Sequence, residues 1–153
     1  MNAALEFCLN RASVAQITAH LRVCDDAFVP QLSGRVCIDD YAHKIADKAQ
    51  RFEAFAAGGE LVGLVAAYCN DSEGRVAFIT SVSVLPGWQG QGIASQLVTR
   101  CIDHVRGLGF ARIELELDER NRAAANLYEK HGFSANRTSG EAAIMYLTIG
   151  RRR

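Results

Sequence analysis

The chain has 153 residues, 49% hydrophobic and 22% charged, a size and balance that fit one globular domain over residues 1–150 and leave little for a second. Lysine plus arginine equals aspartate plus glutamate at 17 each, so no net field draws the chain to nucleic acid or to an anionic membrane, and the 151–153 arginine tail reads as a solvated terminus. Five scattered cysteines without a C-x-x-C pair and histidines without a ligand cluster argue against a disulfide framework and a metal centre; no signal peptide or membrane-length apolar run is present, so the expectation is a reduced, cytoplasmic protein.

Taken from the amino end, residues 5–9 read as a short strand, and Ser13 is placed to cap a helix bearing Val14, Ile17 and Leu21 on one face. Residues 25–35 break the pattern with Pro30, Ser33 and Gly34 beside Phe28 and Leu32, an irregular stretch suited to a substrate wall. A second helix is expected from a cap at Asp39 through Tyr41 and Ile45 to Ala49. His20, His43 and His104 fall within helical patterns and read as ordinary surface or half-buried residues.

Residues 51–57, 60–69 and 75–85 are three β-prone stretches, with Gly58-Gly59 and the 70–74 segment as hairpin turns. A helix from Ile93 to about residue 106 follows, then a strand over 111–118 whose Glu114, Glu116 and Asp118 share one face. A last helix over 121–130 stops at Gly132, and residues 133–137 and 143–149 close the chain as two strands. The order β-α-α-β-β-β-α-β-α-β-β, with a β-helix-β passage in mid-chain, predicts a mixed sheet with at least one parallel pairing.

The densest chemical signal lies where a strand passes through Pro86-Gly87-Trp88-Gln89-Gly90-Gln91-Gly92 into the helix at Ile93. Pro86 removes a ladder donor, and Gly90 and Gly92 permit positive φ and let a ligand approach bare backbone. The unpaired amides and positive dipole end of the following helix then suit an anionic group. A P-loop is excluded, because Ile93 and Ala94 stand where lysine and a hydroxyl are required. A dinucleotide fingerprint finds two of three glycines, with Asp118 as ribose ligand, but the hairpin-rich first half leaves no room for a doubly wound fold.

The run Val84-x-Pro86-x-x-Gln89-Gly90-Gln91-Gly92-Ile93-Ala94 resembles the acyl-coenzyme A loop of the GNAT acetyltransferase superfamily, and Asn121-x-x-Ala124-x-x-Leu127-Tyr128-Glu129-Lys130-x-Gly132-Phe133 is similar to that family's later helix and strand entry. The resemblance implies a mixed, mostly antiparallel twisted sheet of about seven strands with four helices, acetyl-CoA as cosubstrate, no metal, and direct attack by an amine. It implies that backbone groups of Val82, Ser83 and Val84 pair with the pantetheine arm, that Gly90, Gln91, Gly92, Ile93, Ala94 and Ser95 hold the pyrophosphate, and that Gln89 belongs to the same cofactor-binding loop. Asn121 contacts the coenzyme arm in this family and also suits a helix cap. Tyr128 corresponds to the acid that protonates the departing thiolate, although a helical tyrosine also serves simply as packing. Gly90 replaces a basic residue that many relatives carry, so phosphate binding leans on amides, with Arg100, Arg120 or Arg122 as supplementary cations.

Deprotonating a lysine-like amine at pH 7 costs roughly 4.6 kcal/mol, against about 1.4 for an α-amine, so a base matters most for the first. Glu116 is the candidate base, with water relayed by Glu116 or Ser81 as the alternative. Ser81 and Thr80 either line the cleft or satisfy backbone neighbours. The acceptor is expected to be a primary amine of a small molecule; the 28–33 stretch with Asp39-Asp40-Tyr41 and Tyr68-Cys69-Asn70-Asp71 resembles a subgroup of the family tied to bacterial surface-polysaccharide assembly, which implies an aminosugar nucleotide and places Phe28 and Tyr68 against it. Protein or peptide acceptors, a non-catalytic acyl-CoA sensor and a nicotinamide-dependent oxidoreductase are the alternatives. The two closing strands are suited to pairing across a two-fold axis in a homodimer.

Overall fold

The computed structural model describes residues 4–135 and 142–150. Its elements are β1 (Leu5–Leu9), α1 (Val14–Cys24), α2 (Ile38–Lys48), β2 (Ala49–Ala56), β3 (Leu61–Tyr68), β4 (Val76–Val84), α3 (Ile93–Gly107), β5 (Arg112–Asp118), α4 (Arg122–Lys130), β6 (Ser134–Ala135) and β7 (Ala142–Thr148), with short 3-10 turns at Asp25–Ala27, Leu32–Gly34 and Pro86–Trp88. The predicted order of strands and helices is the observed one. The arginine tail at 151–153 and the end of the expected 133–137 strand lie outside the described residues.

Local chemistry accounts for the helix boundaries. Ser13 and Gln16 form a reciprocal capping box at the start of α1, an arrangement that satisfies two otherwise orphaned amides. The expected cap at Asp39 is not formed: Cys37 is the N-cap of α2, without a side-chain bond, and Asp39 and Asp40 lie inside the first turn, where their charge complements the helix dipole. Gly132, at φ 96°, ends α4 in the left-handed region.

Among the described residues the strands form one seven-stranded sheet in the order β1-β2-β3-β4-β5-β7-β6. Neighbours are antiparallel except for β4 and β5. That parallel ladder joins Val76–Ile79 to Arg112–Leu115 and goes no further. Beyond it β4 remains paired with β3 and β5 with β7, so the sheet opens into a V between 80–84 and 116–118. A register shift sets Ser81 opposite Ala66 but Ile79 opposite Ala67, leaving Thr80 as the extra residue at the point of divergence.

A core packs on each face of the sheet. On one face Val62, Val65, Ile79, Ile113, Leu115 and Leu117 meet Ile93, Leu97 and Cys101 of α3 and Tyr128 of α4. On the other, Leu64 and Ala66 meet Ile17 and Leu21 of α1 and Ala42 and Ile45 of α2. The two-residue period of strands then fixes which way the polar residues of the V point. Ser81 and Ser83 share the face of their partners Ala66 and Leu64, and Glu114, Glu116 and Asp118 alternate with residues buried on the α3 face, so both sets lie on the α1–α2 side. No helix among the described residues is long and apolar enough to cross a membrane.

Candidate functional site

The V holds a cleft of about 890 Å³, walled by the segment between α1 and α2, the diverging ends of β4 and β5, the start of α3 and one side of α4. Gln89 closes the loop before α3 by donating from Nε2 to the Val84 carbonyl at 3.1 Å. Gly90 and Gly92 both adopt φ 80°, and nothing lies within 4 Å of where a Cβ would stand on either. Gly92 is the N-cap of α3 and supplies no side-chain bond to its first turn. The amides of that turn therefore meet the cleft, which Ile93, Ala94 and Ser95 line together with Trp88, Gln89, Gly90 and Gly92. Gln91 is exposed and outside the lining. Val82, Ser83 and Val84 line the cleft, and among the described residues no strand is hydrogen-bonded on their β5 side.

Tyr128 reaches the cleft from α4, 7% exposed and tilted against Phe133 at 5.8 Å between ring centroids. Burial pushes its phenol above the ordinary tyrosine range, so it stays protonated. Asn121 caps α4 by accepting the Ala124 amide at 3.2 Å and also lines the cleft, so its structural and ligand-facing positions coincide. Glu116 is exposed and lines the cleft from β5. Beside it, Asp118 accepts from the Arg120 amide, Nε and Nη2 at 2.9, 2.9 and 2.6 Å. The Arg120 hydrogen bonds hold its carboxyl down at about 2, with Arg35 adding a smaller pull.

Thr80 is engaged by α2: the Tyr41 hydroxyl donates to its carbonyl at 2.7 Å and lies 2.7 Å from its Oγ1. Ser81 Oγ is buried without a hydrogen-bond partner and lines the same wall. Phe28 lines the cleft and packs against both cores. Tyr68 does not reach it: the ring packs in the α1–α2 core beneath Lys44 Nζ, 5.3 Å from its centroid, at the far end of β3 from the V. Tyr41 and Thr80 line the cleft in place of the expected Tyr68.

Other residues at the cleft carry no site role in the sequence reading. Tyr41, Trp88, Arg35 and Lys130 line it, whereas Arg100 lies over the Phe7 ring at 4.6 Å and neither Arg120 nor Arg122 is in the lining. His131 sits beside the α3 start, its Nε2 3.0 Å from Ser95 Oγ. His20, expected at or near the surface, is 2% exposed. Its spacing was the available signal, since Ile17, His20, Leu21 and Cys24 recur as the buried stripe of α1. No group of histidine, cysteine, aspartate or glutamate side chains suited to a metal ion occurs among the described residues.

A mixed sheet opened at its parallel pair, with an uncapped helix start beside the opening, defines a ligand-binding α/β domain of the N-acyltransferase fold. Residues 14–133 match the acetyltransferase (GNAT) family, and the chain belongs to it. A mycothiol acetyltransferase of Streptosporangium roseum is 40% identical over 65 residues, 42% of this chain, and the aligned part is only 18% of that protein's length. The ribosomal-protein-S18-alanine N-acetyltransferase of Escherichia coli superposes with a TM-score of 0.77 at 21% identity, covering 98% of this chain and 97% of its own. The PaiA N-acetyltransferase of Thermoplasma acidophilum, in complex with coenzyme A, gives 0.72 at 15% identity, covering 95% and 99%. These structures share the fold.

Proposed function

We propose that this chain transfers acetyl from acetyl-CoA to a primary amine of a small molecule by direct attack. The observation that carries the reading is the end of the β4–β5 ladder at Ile79 and Leu115, which leaves strand backbone unpaired next to an uncapped helix start. An extended arm with amide groups can add to β4 at Val82–Val84 as a strand would, while its diphosphate meets the amides of Gly90 to Ser95. Acetyl-CoA has that arm and that diphosphate, and it supplies the thioester carbonyl. Lys130 and Arg35 are the cations lining the cleft among the described residues.

Tyr128, buried and neutral, is the acid we assign to protonating the leaving thiolate. Glu116 faces the α1–α2 side, where the acceptor enters past Phe28, and is the base we assign to bringing the amine in unprotonated. An aminosugar nucleotide is the acceptor class favoured by the resemblance of the α1–α2 segment.

The test is acetyl-CoA titration followed by thiol release across aminosugar nucleotides, amino acids, polyamines and peptides. Micromolar binding at the Gly90 loop with turnover of one acceptor class is expected. Binding without turnover of any acceptor indicates a sensor, and thermal stabilisation by NAD alone overturns the reading.

A further inference from the structure

Of the four histidines, His20 alone is buried, and every polar atom of its ring is engaged. Nδ1 lies 2.9 Å from the Leu61 carbonyl oxygen. A carbonyl only accepts, so Nδ1 carries the hydrogen and Nε2 keeps its lone pair. Ser83 Oγ is 2.8 Å from Nε2, so the serine hydroxyl donates to the ring. Its oxygen also meets the Cys24 thiol, and Ser83 lines the cleft where β4 has lost β5. A hydroxyl at the cleft, a neutral imidazole behind it and a carbonyl fixing the tautomer are the parts of an activated hydroxyl. A serine serving only to fill a strand needs none of them.

We propose that Ser83 is a further catalytic residue, passing a proton from the attacking amine to His20, which acts through it as a positioning and proton-holding residue. The proposal rests on the acetyl-transfer reading above. As the neutral amine forms its bond to the thioester carbon, its nitrogen becomes strongly acidic. One N–H proton moves to Ser83 Oγ while the Ser83 hydroxyl proton moves to His20 Nε2. Collapse of the adduct breaks the C–S bond with its electron pair on sulfur, and Tyr128 protonates the thiolate. His20 then releases its proton to solvent and the Tyr128 phenolate regains one, so a single proton has passed from amine to thiol overall.

The groups facing the ring are few. The Leu61 carbonyl comes from β3, Ser83 from β4 and the Cys24 thiol from α1 itself, with Sγ 3.7 Å from Nε2. Burial pushes Cys24 up to about 11, so it remains a thiol. Among the described residues no charged side chain from α2 or elsewhere shifts His20, whose pKa burial moves below its ordinary value. It is therefore neutral and able to accept a proton at pH 7.

The experiment compares the full chain with Ser83→Ala, Ser83→Thr, His20→Gln and the Ser83→Ala/His20→Gln double variant. Acetyl-CoA binding is measured by titration, and turnover by thiol release with spermidine, glucosamine and alanine amide as probes. Gln keeps a hydrogen-bond acceptor for Ser83 but cannot take the proton. Ser83→Ala and His20→Gln should each lower kcat by about 10²-fold without weakening acetyl-CoA binding. The double variant should be no worse than either single one, and Ser83→Thr should recover most of the loss. Below about pH 6.5 the wild-type kcat/KM profile should fall more steeply than that of His20→Gln, which keeps only the slope set by protonation of the acceptor amine. Turnover by Ser83→Ala or His20→Gln within about threefold of wild type, or an acid limb as steep in His20→Gln as in wild type, overturns the relay and leaves acetyl transfer standing. If His20→Gln fails to fold, Ser83→Ala, which leaves α1 untouched, decides alone. A wild-type chain that neither binds acetyl-CoA nor acetylates any probe sinks both.

Discussion

Gly63 on β3 lies so close to Ile93 at the start of α3 that a Cβ on the glycine would stand 2.8 Å from Ile93 Cγ2, and 3.0 Å from Leu97 Cδ1. The bare strand backbone is thus the seat on which the anion-binding turn rests. Ile93 is 2% exposed and Leu97 fully buried, so neither side chain has room to retreat. Gly63→Ala should cost about 1–3 kcal/mol by overpacking and tilt the first turn of α3. Urea midpoints and acetyl-CoA titration check this, with a several-fold weaker Kd expected beside the stability loss.

The two glycines of the turn itself carry a different cost. Both sit at φ 80° with open space around them, so Gly92→Ala strains backbone without meeting a neighbour. A left-handed non-glycine residue costs roughly 1–2 kcal/mol, and relief requires rotating the amides that meet the cleft. Acetyl-CoA affinity should fall with KM rising and kcat little changed, and steady-state kinetics at varied acetyl-CoA separate the two.

Tyr128→Phe keeps the ring packed against Phe133 and deletes the hydroxyl alone. Stability should stay within about 1 kcal/mol, whereas kcat should fall by about 10²-fold at unchanged acetyl-CoA KM. Because burial raises the phenol above its ordinary value near 10, no alkaline fall in the wild-type rate should arise from Tyr128 up to about pH 10. A pH profile of kcat for the two proteins checks both statements.

Much of this arrangement was readable from residue order. Pro86 and the Gly90–Gly92 pair marked the strand-to-helix turn, and alternation along β5 put Glu114, Glu116 and Asp118 on one face, because both signals are local. What sequence could not supply was contact between distant segments. Tyr68 reads as a substrate residue, but the fold packs it in the α1–α2 core outside the cleft lining, and His20 gains its meaning only from Leu61 and Ser83, which lie 41 and 63 residues away. Asp39 fails as a cap because α2 begins two residues earlier than a cap there requires, with Cys37 as the N-cap, and its carboxylate instead pairs with Arg22 at 2.6 Å.

The burial of His20 has a consequence for stability against pH. Its folded pKa is lowered, so the neutral ring is the form the fold prefers. Above the unfolded value near 6.5 both states are neutral and the contribution is fully present. As pH falls below that value the unfolded chain takes up a proton that the folded chain refuses, and stability declines by at most about 1.4 kcal/mol per pH unit from this group. Urea midpoints between about pH 7.5 and pH 5.5 should show the decline in wild type and less of it in His20→Gln. His131, also lowered by partial burial, adds a residual slope that His20→Gln leaves in place.

The helix that carries His20 is anchored by a buried ion pair. Glu53 on β2 is fully buried and accepts the Arg11 and Ala12 amides at 2.7 and 3.1 Å, as well as Arg51 Nε at 3.1 Å. Arg51 in turn donates to the carbonyls of Ala46 and Ala12 at 3.0 and 3.2 Å, tying the end of α2 and the turn before α1 to the same strand. Removing one partner leaves the other charge buried alone, so Glu53→Ala should cost about 3–5 kcal/mol. Replacing both by apolar residues of similar size, Arg51→Met with Glu53→Leu, should cost less than the single change, although it still orphans the two amides. Because the network sits one turn before α1, the single variant should also loosen the His20–Ser83 contact. Hydrogen exchange at α1 amides, compared between Glu53→Ala and wild type, should report faster opening there than in α3.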